Sequence, residues 1–200
     1  MKKLLAFITA ALVVVGLVGS AALAAGNGNN NRDNSITEIV AASGGEFDEN
    51  HQDFDILLNA VLAADLADTL ATAGLDVTVF APKDIAFVRL AQDLGYTGDS
   101  EAGAWDAIVA FLTDAGSGDP IPLLTQILQY HVSPGEKTIY KIADLDSVPT
   151  LLGPSIAVEG LRLVDADPDL KNPAVVKPFQ IRANNGTIAP LNRVLIPLDV

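Results

Sequence analysis

"TVFAPKDIAF", Thr78 to Phe87, changes character halfway. Its lead-in "GLDVTVF" is short and rich in β-branched and aromatic residues, which suits a strand. Val77 and Val79 face one way along it, Thr78 and Phe80 the other. Apolar groups on both faces predict a central strand. Ala81-Pro82 ends it, since proline cannot donate to a sheet ladder. Asp84 is then placed to cap a helix whose Phe87, Leu90, Ala91 and Leu94 fall on one face, with Gly95 as the stop.

Outward from this strand-to-helix unit, helices dominate the first two-thirds. "SITE" (Ser35–Glu38) is a capping box, the serine and the glutamate three residues on each able to satisfy a backbone N–H. "DFDILLNAVLAA" carries Phe54, Leu57, Leu58 and Val61 at helical spacing, and "AWDAIVAFL" carries Trp105, Ile108, Val109 and Leu112. "GDPIPLLTQILQYH" starts with Asp119 as cap and Pro120 at the first helical position. The last third alternates with period two. "SIAVEGLRLV" and "KPFQIRANNGTI" predict antiparallel strands, and Asn185-Gly186 predicts a tight hairpin turn with positive φ at both central residues. Helices first and strands last make the class α+β.

His131 decides whether the chain carries a catalytic or metal site. In "LQYHVSPGEKT" (Leu128–Thr138) it follows Leu124, Ile127 and Leu128 at i, i+3, i+4 and i+7, which puts it on the buried stripe at the helix end. Zinc needs three or four His, Cys or acid ligands, and no His-x-x-x-His or Glu-x-x-His pair exists. A serine triad needs an exposed nucleophile, and Ser133 sits in a Pro-Gly turn. His131 is therefore read as a core residue whose ring must find a hydrogen-bond partner, Asp84 or a nearby backbone group.

"TVFAPKDIAF", "LQYHVSPG" (Leu128–Gly135) and "NNGTIAPLNRVLIP" (Asn184–Pro197) resemble, in order, the three motifs of the fasciclin domain family. The resemblance runs from about Ile36 to Val200. It implies a wedge of two β-sheets with a layer of helices, used in secreted and surface proteins for adhesion or protein contact, without catalytic residues and without a cofactor. The positions that carry it are Thr78, Phe80, Pro82, Asp84, Phe87, Tyr130, His131, Gly135, Asn185, Gly186, Val194 and Pro197, all structural in this reading. Lys83 stands where the family usually has Thr, Ser or Asn, and Ala189, Pro190 and Asn192 replace the more usual His, Val and Asp. Pro190 predicts an edge or a bulge, and "RVLIP" a return strand with Val194 and Ile196 on one face. In animal relatives an Asp-Ile pair before the closing motif, with the Tyr-His region, is implicated in integrin binding. Gln180-Ile181 stands there instead, so integrin binding is not implied.

The amino-terminal segment reads as a secretory signal peptide over 1–24. "MKK" is basic, Leu4 to Val18 is apolar but shorter than the ~20 residues of a spanning helix, and Ala22 and Ala24 form an exit for signal peptidase. An Asn- and Gly-rich spacer over 25–34 and a single domain over 35–200 follow. The expected location is therefore secreted, periplasmic or at the cell surface, with no transmembrane anchor. The chain has no cysteine, so its core must hold it together without disulfides. A formal net charge of −13, with Lys2 and Lys3 lost alongside the leader, excludes nucleic acid as a partner and disfavours anionic membranes.

Two acidic stretches are read as solvated surface. "DADPDLKNPAVV" spaces Asp165, Asp167 and Asp169 like a calcium loop, but Leu170 and Val176 occupy the positions of the turn glycine and the bidentate glutamate, which leaves room only for weak calcium contact. "EFDENHQD" (Glu46–Asp53) is a charged face before a helix. Asn185-Gly186-Thr187 has the form of a glycosylation sequon and is read as turn chemistry. The expected function is a non-enzymatic interaction or adhesion module binding a protein or polysaccharide; the alternative is a carrier of a small apolar ligand held between the helix layer and the sheet.

Overall fold

The computed structural model describes residues 33–176 and 180–197. The expected leader, nearly all of the spacer, and Lys177 to Phe179 of the anticipated strand lie outside them. The architecture is α+β: seven helices and seven strands among the described residues, the strands forming one four-stranded and one three-stranded sheet.

The helices follow the sequence pattern. Ser35 caps α1 (Ile36–Ser43) in a complete capping box with Glu38. Next come α2 (Asp55–Ala63) and the short α3 (Ala67–Ala71). Beyond β1 (Val77–Pro82) lie α4 (Asp84–Asp93), α5 (Glu101–Ala115) and α6 (Ile121–Tyr130), with Gly95 in the left-handed region at φ 102° just after α4. Trp105 is half-buried against the core, whereas Ile108 and Leu112 are fully inside.

After β2 (Val132–Pro134) and α7 (Ile139–Ala143), the chain turns through β3 (Ser147–Pro149), β4 (Ser155–Glu159) and β5 (Arg162–Val164), an antiparallel three-stranded sheet. It ends with β6 (Ile181–Arg182) and β7 (Gly186–Leu191). The larger sheet runs β2-β1-β7-β6, so β1 is central, buried along its whole length.

Within that sheet β1 and β7 pair in parallel, from Val77 opposite Gly186 to Pro82 opposite Leu191. The antiparallel pattern read from the last third holds for β3-β4-β5 and for β6-β7, but not for this central pair. Alternation then divides the interior in two. Val77, Val79 and Ile188 join the helices in one hydrophobic cluster; Phe80, Ala189 and Leu191 join Tyr130, Ile142, Ile156 and Leu163 between the two sheets in another.

Two expectations for the closing motif change. "RVLIP" is not a strand but a covering segment without regular secondary structure, with Val194 and Ile196 in the helix-side cluster and Leu195 in the other. Pro190 lies in an internal strand. Its missing N–H is harmless because β6 ends opposite Thr187 and Ile188, and the Pro190 carbonyl accepts from Val176 N–H at 2.8 Å instead.

Candidate functional site

Two threonines, Thr78 of β1 and Thr187 of β7, anchor the neighbouring turn. Thr78 Oγ1 donates to the Gly135 carbonyl at 2.8 Å and accepts the Lys137 N–H at 2.9 Å. Gly135, at φ 82°, makes the turn, and its N–H reaches the Asp76 carbonyl. Thr187 Oγ1 donates to Glu136 Oε1 at 2.9 Å. The turn after β2 is thus tied to both central strands.

Asn185 is a buried junction. Its Oδ1 accepts the Ile36 N–H at the start of α1 at 3.0 Å, and its Nδ2 donates to the carbonyls of Leu70 and Thr72 at 2.7 and 3.1 Å. Only the glycine of the Asn185-Gly186 pair has positive φ, 154°, so the tight turn with two such residues does not form. Gly186 is needed for close approach: a Cβ there would strike the Val77 carbonyl oxygen.

His131 is 3% exposed. Its Nε2 accepts the Leu195 N–H at 2.9 Å, so Nε2 carries no proton. The proton is on Nδ1, which donates to the Ile127 carbonyl at 2.7 Å. Burial pushes the ring's pKa down to about 4 against the opposing pull of that carbonyl. Both nitrogens are consumed and the imidazole is neutral, which leaves nothing to abstract a proton or ligate a metal. The ring's partners are backbone groups. Asp84 is not among them, contrary to one of the two expectations.

Asp84 does something else. It is the first residue of α4 and does not cap that helix; the N-cap is Lys83, without a side-chain bond. Its carboxylate reaches across to α2 and accepts the Asp55 N–H at 3.0 Å and the Ile56 N–H at 2.8 Å. A helix needs its first N–H groups satisfied, and a neighbouring helix can supply the acceptor. Burial first, then a hydrogen bond shared with Asp53, raises the pKa of Asp84 to about 8.

Between α1, α2, the α3 region and α6 a cavity of about 110 Å³ opens, floored by Val79 of β1. Leu57, Val61, Leu66, Leu70 and Leu128 are among the side chains that line it, with Thr37, Thr69, Gln129 and His131 as its few polar residues. Leu151, 53% exposed, stands at its edge, and the backbone of Leu151 is held by the Val132 carbonyl. Apolar walls with little polar decoration can take up an apolar group and offer no reactive atom. Sequence periodicity placed Leu57, Val61 and Leu128 on buried stripes; that the stripes stop short of closing on one another, with Leu66 and Leu70 completing the wall, was not legible from spacing.

The Asp165 loop does not gather its acids. Asp167 Oδ1 accepts the N–H groups of Asp169 and Leu170, both at 2.8 Å, and Asp165 Oδ2 accepts the Ile196 N–H. Among the described residues the acids close enough to share an ion lie elsewhere, around Glu101. Asp55 and Glu101, buried at helix starts, were not singled out by the sequence reading, because a first-turn acid is ordinarily a solvated partner of the helix dipole.

Phe80 is wholly buried at the heart of the two-sheet cluster; Phe87 and Tyr130 are buried, Pro82 ends β1, and Pro197 is half-buried. A family model for the fasciclin domain matches residues 52–197. "Uncharacterized protein sll1735" of Synechocystis sp. is 33% identical over 146 residues, covering 72% of this chain and 89% of that protein. A solved structure described as a FAS1 domain pair from the insect cell adhesion molecule Fasciclin I superimposes with a TM-score of 0.55 at 14% identity, over 82% of this chain and 51% of that one. The chain spans about half of the pair, and at that identity the likeness is one of fold. With the two-sheet wedge, the helix layer and the three motifs in place, the match over 52–197 assigns the chain to the fasciclin domain family.

Proposed function

We propose that this chain acts outside the cytoplasm as a non-enzymatic interaction module, and that it holds a protein partner by an apolar side chain inserted between α2 and α6. Fasciclin domains are interaction modules in general, and the observation that carries the finer reading is the aliphatic cavity with an exposed leucine at its mouth. The exposed Leu62 of α2, 56% accessible, extends the apolar surface of that helix. Aliphatic walls favour a protein over a polysaccharide, whose sugars want aromatic faces and polar groups. The neutral, fully bonded His131 at the same cavity supports a role without turnover. Among the described residues no helix is long and apolar enough to cross a membrane.

The test compares immobilised wild type with Leu151→Glu and Leu58→Trp, the first charging the mouth and the second narrowing the cavity. Expected is a protein retained from the native cell surface by wild type and lost with both variants at unchanged thermal midpoints. Equal retention by all three would overturn the reading. The same cavity favours a second reading, carriage of a small apolar ligand; there a solvent extract of protein purified from its own source would contain a hydrophobic molecule that Leu58→Trp lacks.

A further inference from the structure

Among the described residues, four buried acidic side chains gather around the starts of α2, α4 and α5: Asp53 at 7% exposure, Asp55 at 0%, Asp84 at 0% and Glu101 at 1%. Asp48, exposed, closes the group on the solvent side. Asp48 and Asp53 come from the loop before α2, and Asp55, Asp84 and Glu101 are the first residues of α2, α4 and α5. None is in an ion pair among the described residues, where Arg193 pairs with Asp93 elsewhere.

Part of this oxygen set is accounted for. Both oxygens of Asp84 accept backbone N–H groups of α2. Asp53 Oδ2 accepts from Asn50 Nδ2 at 2.7 Å, and Glu101 Oε2 accepts the Asp48 N–H at 2.9 Å. Both oxygens of Asp55 and Glu101 Oε1 are buried with no hydrogen bond of normal geometry, while Asp53 also faces Asp84, with which it shares a hydrogen bond. Native proteins seldom leave buried acceptors unanswered, and least of all several carboxylates side by side. Burial raises the pKa of both Asp55 and Glu101. For Asp55 the nearby Asp53 adds to this against a weaker pull from the Gly45 backbone, and for Glu101 the Asp48 N–H opposes it.

The spacing matches a single ion. One carboxylate oxygen from each of Asp48, Asp55 and Glu101 lies within 4.8 Å of the others. Calcium binds oxygens at roughly 2.3–2.6 Å, so two ligands of one ion can stand no more than about twice that distance apart. A second trio, Asp53, Asp84 and Glu101, meets the same limit, but there the Asp84 oxygens are already engaged. The donors are all hard oxygens, which excludes soft metals as the preferred ligand.

We propose that Asp48, Asp55 and Glu101, backed by Asp53, bind a calcium ion that ties the loop before α2 to the first turns of α2 and α5. The exposed Asp48 is the way in. Magnesium holds its waters and demands a regular octahedron, whereas the buried side of this site is filled by carboxylates, and the irregular loop suits calcium. The backbone passes close at Gly44, where any Cβ would collide with the Asp55 carboxylate.

Trp105, the single tryptophan, is one helical turn beyond Glu101 on α5, near enough to sensitise terbium emission from a lanthanide in the site. The experiment titrates Tb³⁺ into the purified chain, displaces it with Ca²⁺, and measures thermal midpoints in EDTA, Ca²⁺ and Mg²⁺. Expected are sensitised emission competed by calcium, and a midpoint several degrees higher in excess Ca²⁺ than in EDTA. The double variant Asp55→Asn/Glu101→Gln should lose affinity at least tenfold, yet melt no lower than wild type in EDTA, because the amides remove buried like charges. Asp165→Asn should respond as wild type. Asp48→Asn, at an exposed position, should weaken binding severalfold with the core untouched, which keeps the test open if the double variant does not fold. Absence of emission and of a calcium shift in wild type, a full response in the Asp48 variant, or magnesium acting as well as calcium would overturn the assignment.

Discussion

His131 Nε2 accepts the Leu195 backbone N–H at 2.9 Å. Through this bond the end of α6 holds the covering segment after β7, while the His131 carbonyl accepts the Phe80 N–H of β1 at 2.8 Å. One residue thereby joins a helix, the central strand and the closing segment. His131→Ala removes the ring and orphans the Leu195 N–H, whereas the Ile127 carbonyl keeps the backbone N–H of residue 131. That unsatisfied N–H alone should cost about 1–3 kcal/mol, read as a lowered denaturation midpoint with the folded fraction still binding.

The same ring sets a pH dependence. Its folded pKa, about 4, lies below the ordinary value of 6.5, so between those values the unfolded chain binds more protons. The contribution of His131 is therefore complete above about pH 6.5 and is lost as pH falls toward 4, on the order of a few kcal/mol in all. Its imidazole NMR signals should stay constant between pH 8 and 5. Titration near 6.5 would show that the ring is not held neutral by the fold.

Asn185 uses oxygen and nitrogen together, so its two replacements should differ. Asn185→Asp keeps the acceptor for the Ile36 N–H but turns the donor to the Leu70 and Thr72 carbonyls into a repelling oxygen. Asn185→Ala loses all three bonds and adds no charge. Both should destabilise, by about 1–3 kcal/mol for each group left unsatisfied, and urea midpoints should place the aspartate variant lower.

Gly186→Ala tests the close approach of β7 to β1. The added methyl meets the Val77 carbonyl at a backbone φ that L residues rarely adopt. A loss of about 1–3 kcal/mol is expected from overpacking and strain, with faster hydrogen exchange along β1 and β7. An unchanged midpoint would refute the parallel register.

Phe80→Ala should cost about 3–5 kcal/mol, as large aromatic truncations in cores do. Its ring is wholly buried between the two sheets, so near-ultraviolet circular dichroism should report loosening around Tyr130, in the same cluster, before the helix-side cluster melts.

The elements that repeat a local pattern were legible without any structure. The capping box at Ser35, the stripes of α4 and α6, the β4-β5 hairpin and the central place of "VTVF" each follow from side-chain chemistry within a few residues of itself. His131 could be placed in the core for the same reason, since a helical stripe carries its burial with it. What tertiary structure decided was which distant pieces meet. The parallel pairing of β1 with β7 closes most of the chain into one loop, and no short-range signal distinguishes it from an antiparallel partner. The carboxylate of Asp84 could cap its own helix or another's, and the choice fell to α2 because the two helix starts are adjacent in space. Asp55 and Glu101 look like ordinary first-turn acids in the sequence; only packing brings them face to face and takes away their water. Periodicity reports how a segment lies on its neighbours, whereas a site made by several segments depends on contacts that spacing does not encode.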